Sequence, residues 1–222
     1  MINTLEDYIS RSIPLWEDFS TNPNLRKKVG EDGSLLPYVG NTVVFLLDGQ
    51  TKHMLAGLRE ELYQAAWSLL AQPLDESTFH MTLHDLANGL PGAPGLEEWM
   101  HRTEEGARAV LRRWQELPTI RMEATWLFNM VNTSIVLGLR PADTQSWQLL
   151  DEMYHALEDV ARLGYALTPH ITMAYFRPGT YSPERIRPLA QALKRVELEV
   201  ELRPQNLVLQ SFSDMNHYET IR

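Results

Sequence analysis

At 222 residues, 44% hydrophobic and 22% charged, the chain is long enough for one substantial core or two small lobes sharing an interface. It has no cysteine, which excludes disulfides, thiolate metal sites and a cysteine nucleophile. A formal net charge of −9 argues against a general polynucleotide binder, and with no membrane-length apolar run or secretory leader the expectation is a cytoplasmic protein.

In chain order, residues 1–38 read as an N-terminal helical extension and 39–222 as the main domain. Leu5, Tyr8, Ile9 and Ile13 recur at helical spacing. Asn22-Pro23-Asn24 breaks that pattern, and Glu31-Asp32-Gly33-Ser34 is a turn signal. The basic runs Arg26-Lys27-Lys28 and Arg112-Arg113 read as solvated faces. Asn41 to Leu47 has the β-branched and aromatic content of a buried strand. A helix is expected from about Lys52 to Ala71, with Leu55, Leu58, Leu62 and Ala65 on one face and Pro73 beyond its end. Thr78 to Leu86 reads as a strand, and Gly89 to Gly95 as a loop too rich in breakers for anything else. A helix from about Leu96 to Leu117 comes next, ended by Pro118. Two strands around an Asn-centred turn fill Ile120 to Leu139, and a helix is expected from Thr144 to Leu163, with Gly164 as its stop. Pro169 to Phe176 is a strand, Ser182-Pro183-Glu184 opens a helix, and strands at Val196–Arg203 and Asn206–Phe212 complete the chain.

This order contains an internal repeat, with units at about 40–85 and 131–176. Asn41-Thr42-Val43-Val44-Phe45 resembles Asn132-Thr133-Ser134-Ile135-Val136, and each opens a strand, a helix and a strand bearing His-x-Thr. The spacings nearly agree: 132 − 41 is 91 and 170 − 80 is 90. Two related lobes facing each other about a pseudo-twofold axis would bring the His-x-Thr strands together. The expected fold is α+β: two pseudo-symmetric, interleaved lobes of mainly antiparallel sheet, with outer helices and a central cleft.

In Phe79-His80-Met81-Thr82-Leu83-His84 the apolar residues alternate with His80, Thr82 and His84, and His170-Ile171-Thr172-Met173 repeats the alternation. Such strands pack a greasy side on helices and turn a His/Thr side to a cleft. Imidazoles titrate near neutrality, so one serves as general base while the other, protonated, serves as general acid. Two Thr hydroxyls are placed to hydrogen-bond the non-bridging oxygens of a phosphate. No metal or other cofactor is demanded by such a site.

These two motifs resemble those of the two-histidine phosphoesterase superfamily, which includes 2′,3′-cyclic phosphodiesterases and bacterial enzymes called 2′-5′ RNA ligases. The resemblance spans roughly Val39 to Phe212 and rests on Phe79-His80-Met81-Thr82-Leu83 and Pro169-His170-Ile171-Thr172-Met173-Ala174. It implies His80 and His170 as the acid/base pair, with Thr82 and Thr172 binding phosphate. Asp32-Gly33-Ser34-Leu35-Leu36-Pro37-Tyr38-Val39-Gly40-Asn41-Thr42 also looks like a lead-in seen in a poorly characterised bacterial branch. Members that process RNA often carry a basic residue soon after the second motif, whereas here Ala174-Tyr175-Phe176 intervenes before Arg177.

Asn41, Tyr38, His84, Asn132 and Arg177 are further candidates to reach substrate, though turn and cap roles suit the two Asn residues equally. Trp126 and Phe128 are candidates for a base-stacking platform. The expected activity is metal-independent hydrolysis of a cyclic or 2′-linked nucleotide phosphodiester, on a small nucleotide or short oligonucleotide. One rival is a sensor of nucleotide or sugar phosphates with little turnover. Another is a metal-dependent hydrolase using His80 and His84 with Asp85 or His170, but an extended strand holds His80 and His84 too far apart to share an ion without a bulge. A Ser-His-Asp hydrolase lacks its Gly-x-Ser-x-Gly elbow.

Overall fold

The computed structural model describes residues 12–221; the helix expected through Leu5, Tyr8 and Ile9 lies outside them. The elements run β1 (Phe19–Ser20), β2 (Val39–Leu46), α1 (Gly49–Ala66), β3 (His80–Gly89), α2 (Leu96–Leu111), β4 (Ile120–Met130), β5 (Ser134–Pro141) and α3 (Thr144–Glu158). The chain continues through β6 (His170–Tyr175), β7 (Thr180–Tyr181), α4 (Pro183–Ala192), β8 (Glu199–Leu202), β9 (Leu207–Asp214) and β10 (His217–Thr220). Eight strands form one antiparallel sheet in the order β10-β9-β2-β3-β6-β5-β4-β8, and β1 pairs separately with β7. The order is a palindrome of roles. Strands β2 and β3 with β9 outside them mirror β5 and β6 with β4 outside them, and the two halves meet at β3–β6.

Each half starts its helix in the same way. Asp48 accepts from the Thr51 amide at 2.9 Å and its hydroxyl at 2.7 Å, and Asp143 accepts from the Ser146 amide at 2.7 Å. A carboxylate at this cap satisfies amides that the first helical turn leaves without partners. The helices cover one face of the sheet. There Phe45, Met81, Leu83, Leu137, Ile171 and Met173 are fully buried in the same cluster as Leu55 of α1, Ala107 of α2, Leu150 of α3 and Leu189 of α4. At about 1.5–3 kcal/mol for each large apolar side chain, this layer is the main stabilising term of the fold.

Three helices end earlier than their periodicity suggests. Helix α1 gives way at Ala66 to a 3-10 turn over Trp67–Leu69. Helix α2 passes into turns after Leu111. Helix α3 stops at Glu158, whose carboxylate folds back on the Leu163 amide at 2.8 Å, while Gly164 adopts the left-handed φ of 75°. Strand β10, which sequence reasoning did not foresee, doubles back on β9 through Met215-Asn216.

Residues 12–38 are not helical apart from a 3-10 turn over Pro23–Lys27. Phe19, Leu25 and Val29 are at most 1% exposed and belong to the main core, and the Asn22 amide donates to the Asn132 carbonyl at 2.9 Å. The repeat also needs a shift of register. Leu46, Phe45 and Val44 lie opposite His80, Met81 and Thr82, just as Gly138, Leu137 and Val136 lie opposite His170, Ile171 and Thr172. Val44 therefore matches Val136, which places Asn41 level with Thr133 rather than with Asn132. Among the described residues no helix is long and apolar enough to cross a membrane.

Candidate active site

The seam between the halves is the antiparallel pair Met81↔Ile171. One step to either side, antiparallel pairing sets His80 beside Thr172 and Thr82 beside His170. Neighbouring strands lie roughly 4.8 Å apart, and alternation turns all four of these side chains to the face away from Met81 and Ile171. Burial agrees with that geometry: His80, Thr82, His170 and Thr172 are half-buried, whereas Met81 and Ile171 have no exposure. Two motifs 90 positions apart thus form one floor (170 − 80).

The rings are held alike. The Nδ1 atom of His170 bonds the Thr168 carbonyl at 2.6 Å, and His80 has a backbone bond to Thr78, also two residues before it. A carbonyl accepts only, so Nδ1 of His170 carries a hydrogen, and the His80 ring donates to the Thr78 carbonyl in the same way. The His80 ring also meets Tyr218 edge-on, with centroids 5.0 Å apart. Burial pushes the His80 pKa down to about 4, and nearby Lys52 and His170 push the same way. Against them, the Thr78 carbonyl and Asp85 favour the charged ring. His80 is therefore neutral at neutral pH.

After each Thr the strand carries one extra residue. Thr82 and His84 face the consecutive Val44 and Val43, and Thr172 and Ala174 face the consecutive Val136 and Ile135, so Leu83 and Met173 are bulged. A bulge re-aims the side chains beyond it. Asp85 and Tyr175, rather than His84 and Ala174, consequently join the His/Thr face, in equivalent positions of the two halves. This corrects the simple alternation that put His84 beside His80 and Thr82. The His84 ring lies against Tyr154 of α3, its Nδ1 bonds the Asp85 carbonyl, and its Nε2 is 3.2 Å from Glu158. Burial lowers the His84 pKa. Burial alone would raise that of Glu158, but the Leu163 and Gly164 amides and His84 outweigh it, so the carboxylate holds its charge. Among the described residues no three His, Asp or Glu side chains are grouped to hold a metal ion.

Above the floor lies a cleft of about 640 Å³. Its walls include Tyr165 and Leu167 from the α3–β6 loop, Val131 and Thr133 from the β4–β5 turn, and Phe212, Met215 and Tyr218 from the β9–β10 hairpin. Burial pushes the Tyr175 and Tyr218 phenols above their ordinary pKa, so both stay protonated. Apart from the histidines, the charged side chains lining the cleft among the described residues are Lys28 and Asp85. Sequence reasoning missed Lys28, Tyr175 and Tyr218, and it named Asp85 only as a possible metal ligand. The signal for Asp85 was its place three residues after Thr82, equivalent to Tyr175 after Thr172.

Of the other proposed ligand contacts, only His84 borders the cleft. Asn41, 1% exposed, donates to the Met100 carbonyl at 2.9 Å and accepts from the Ala87 amide at 2.9 Å, tying β2 and β3 to α2. Tyr38 donates to Asn88 at 2.5 Å and stacks on Phe212. Asn132 takes the left-handed φ of 59° in the β4–β5 turn and donates to the Ser20 carbonyl at 2.9 Å. Arg177 packs on Gly33, where a Cβ would stand 2.9 Å from its Nε. Phe128 is buried beside Val136 and Met130, and Trp126 pairs through its backbone with Arg195 outside the cleft.

No family model matches the chain, nor does any curated protein match it in sequence. Solved structures do match. A conserved protein of unknown function from Agrobacterium tumefaciens str. C58 aligns with a TM-score of 0.65 at 20% identity, covering 91% of this chain and 93% of its own. A Thermus thermophilus protein, TT0787, aligns at 0.54 and 14% identity, over 82% and 94%. E. coli LigT, crystallised with ATP, aligns at 0.52 and 14% identity, over 84% and 96%. The fold is thus shared with these solved structures: an α+β arrangement of two related halves that meet at one antiparallel sheet, with helices on its outer face.

Proposed function

We propose that the chain is a phosphoesterase that hydrolyses a cyclic or 2′-linked nucleotide phosphodiester, with His80 and His170 as its acid/base pair. The observation that carries this reading is the Met81↔Ile171 register, which sets two His-x-Thr triples on one cleft floor. Neutral His80 takes the proton of a water molecule on its unprotonated ring nitrogen as the water oxygen bonds to phosphorus. The bond from phosphorus to the ribose oxygen breaks, and protonated His170 delivers its proton to that leaving oxygen. The hydroxyls of Thr82 and Thr172 donate to the non-bridging oxygens, where charge accumulates. This route asks nothing of a metal. The similarity to LigT in fold supports the reaction class but brings no substrate with it.

The test is turnover of 2′,3′-cyclic mononucleotides and 2′-5′-linked dinucleotides by protein purified with chelator. Replacing His80 or His170 with Ala should each lower kcat by about 10²–10⁴-fold with the fold intact by circular dichroism. Near-wild-type turnover in either variant removes that histidine from the mechanism. Tight binding without turnover favours the sensor, and activity lost to chelator and restored by zinc favours metal chemistry.

A further inference from the structure

Lys28 comes from the segment before the first repeat, yet it lines the cleft. Its ammonium stands 4.9 Å from the centroid of the Tyr38 ring and 6.0 Å from that of Tyr175. Ring faces attract a cation without neutralising it. Among the described residues Lys28 makes no ion pair, so it presents its cationic head to a cleft whose other charged lining residue, histidines aside, is Asp85 on the floor.

The fold holds this lysine in place. Its carbonyl accepts from the Leu36 amide at 2.9 Å, Val29 bridges to Leu35, and the Gly30 amide donates to the Ser34 carbonyl at 2.9 Å. At the hairpin tip Gly33 has a φ of 87°, its carbonyl accepts from the Gln72 amide at 2.7 Å, and Arg177 covers the space a side chain would need. Arg177, the basic residue nearest the second motif, therefore braces the hairpin that presents Lys28, and Lys28 is the cation in the cleft.

The charges are also distributed unevenly between the halves. Asp85 and Tyr175 are equivalent under the repeat: the β3 half has a carboxylate there, and the β6 half has a phenol under Lys28. Tyr175 lies two register steps from Thr172, roughly 7 Å along the sheet. An anion bound at Lys28 would thus sit about one nucleotide's length from a phosphate on the floor, while Asp85 would repel it from the other side.

We infer that Lys28 forms a second anion subsite, and that the preferred substrate carries a further phosphate beyond the scissile one. This rests on the phosphoesterase reading for the placement of the scissile phosphate. A matched pair of products tests it without requiring turnover: adenosine 3′,5′-bisphosphate and 3′-AMP, titrated calorimetrically into the wild type, Lys28→Ala and Lys28→Arg. The wild type should bind the bisphosphate about ten-fold or more tighter, the range for a charge-assisted bond. Lys28→Ala should bring the ratio of the two affinities close to one, and Lys28→Arg should keep it. Equal weakening of both ligands in Lys28→Ala, or no bisphosphate preference in the wild type, overturns the inference. Turnover of cyclic mononucleotides is assayed in parallel. A Lys28-dependent preference without turnover sinks the hydrolytic reading alone, turnover without the preference sinks the subsite alone, and binding of neither nucleotide sinks both.

Discussion

Burial has a chemical consequence at the floor of the cleft, because it decides which form of His80 is present. Removing an imidazolium from water costs more than removing an imidazole, so the His80 pKa falls to about 4. A base of that kind stays competent well below neutrality. As pH drops through its pKa the ring gains a proton and can no longer accept one, so the acid limb of kcat/KM should lie near pH 4–5 rather than at the ordinary histidine value. Asp85 favours the charged ring. Replacing it with Asn should therefore move the acid limb to still lower pH, whereas loss of a merely structural contact would lower the rate without moving the limb. An acid limb near 6.5 in the wild type would take the role of base away from His80. The His-x-Thr pairs were legible in the sequence because their chemistry and alternation coincide. Lys28 was not. Within Arg26-Lys27-Lys28 it reads as one more solvated charge, and only the hairpin closed at Gly33 turns it inward.

At the scale of elements, what the sequence hid was the local break in a regular strand. Alternation assumes one residue per register step, and bulges at Leu83 and Met173 exchange the faces of everything after them. His84 was read as a floor residue for that reason, and Asp85 was considered only as a metal ligand beside it. A second signal was present and went unused. Asp48-Gly49-Gln50-Thr51 and Asp143-Thr144-Gln145-Ser146 are matching caps that align the helices of the two halves. They would have exposed the insertions that make the strand offset differ from the His-x-Thr offset. Asn41 shows the opposite error, a buried structural amide taken as a candidate ligand. Its side chain bonds the Met100 carbonyl, the Ala87 amide and Thr103. Asn41→Ala should leave such groups without partners and cost about 1–3 kcal/mol for each one left so. Urea denaturation should show a lower midpoint at unchanged slope, while kcat of the folded fraction stays within about two-fold. A large loss of kcat at unchanged stability would return Asn41 to the ligand side.

Over the whole molecule, the antiparallel order and the two-lobed plan were legible because a repeat of strand, helix and His-x-Thr strand leaves few ways to bury both apolar faces. How residues 12–38 pack was not legible, since the short stretch Phe19–Ser20 and isolated residues such as Leu25 have no periodicity to read. Charge carries the remaining argument. The chain bears a net charge of −9, and among the described residues the cleft offers Lys28 as its one Lys or Arg. Affinity for a single-stranded polyanion grows with the phosphates neutralised and falls with salt in proportion to their number, with a slope of about −0.7 for each. One lysine and a protonated histidine set that number at about two, however long the strand. For nucleotides beyond the cleft, the chain's net charge of −9 offers little general attraction. A cyclic nucleotide carrying one extra phosphate should therefore be turned over at least as well as a long RNA ending in the same group. The logarithm of kcat/KM for either should fall against the logarithm of salt with a slope no steeper than about −1.5. A kcat/KM many-fold higher for the long RNA, with a slope of about −4 or steeper, would mean that a cationic track runs outside the cleft.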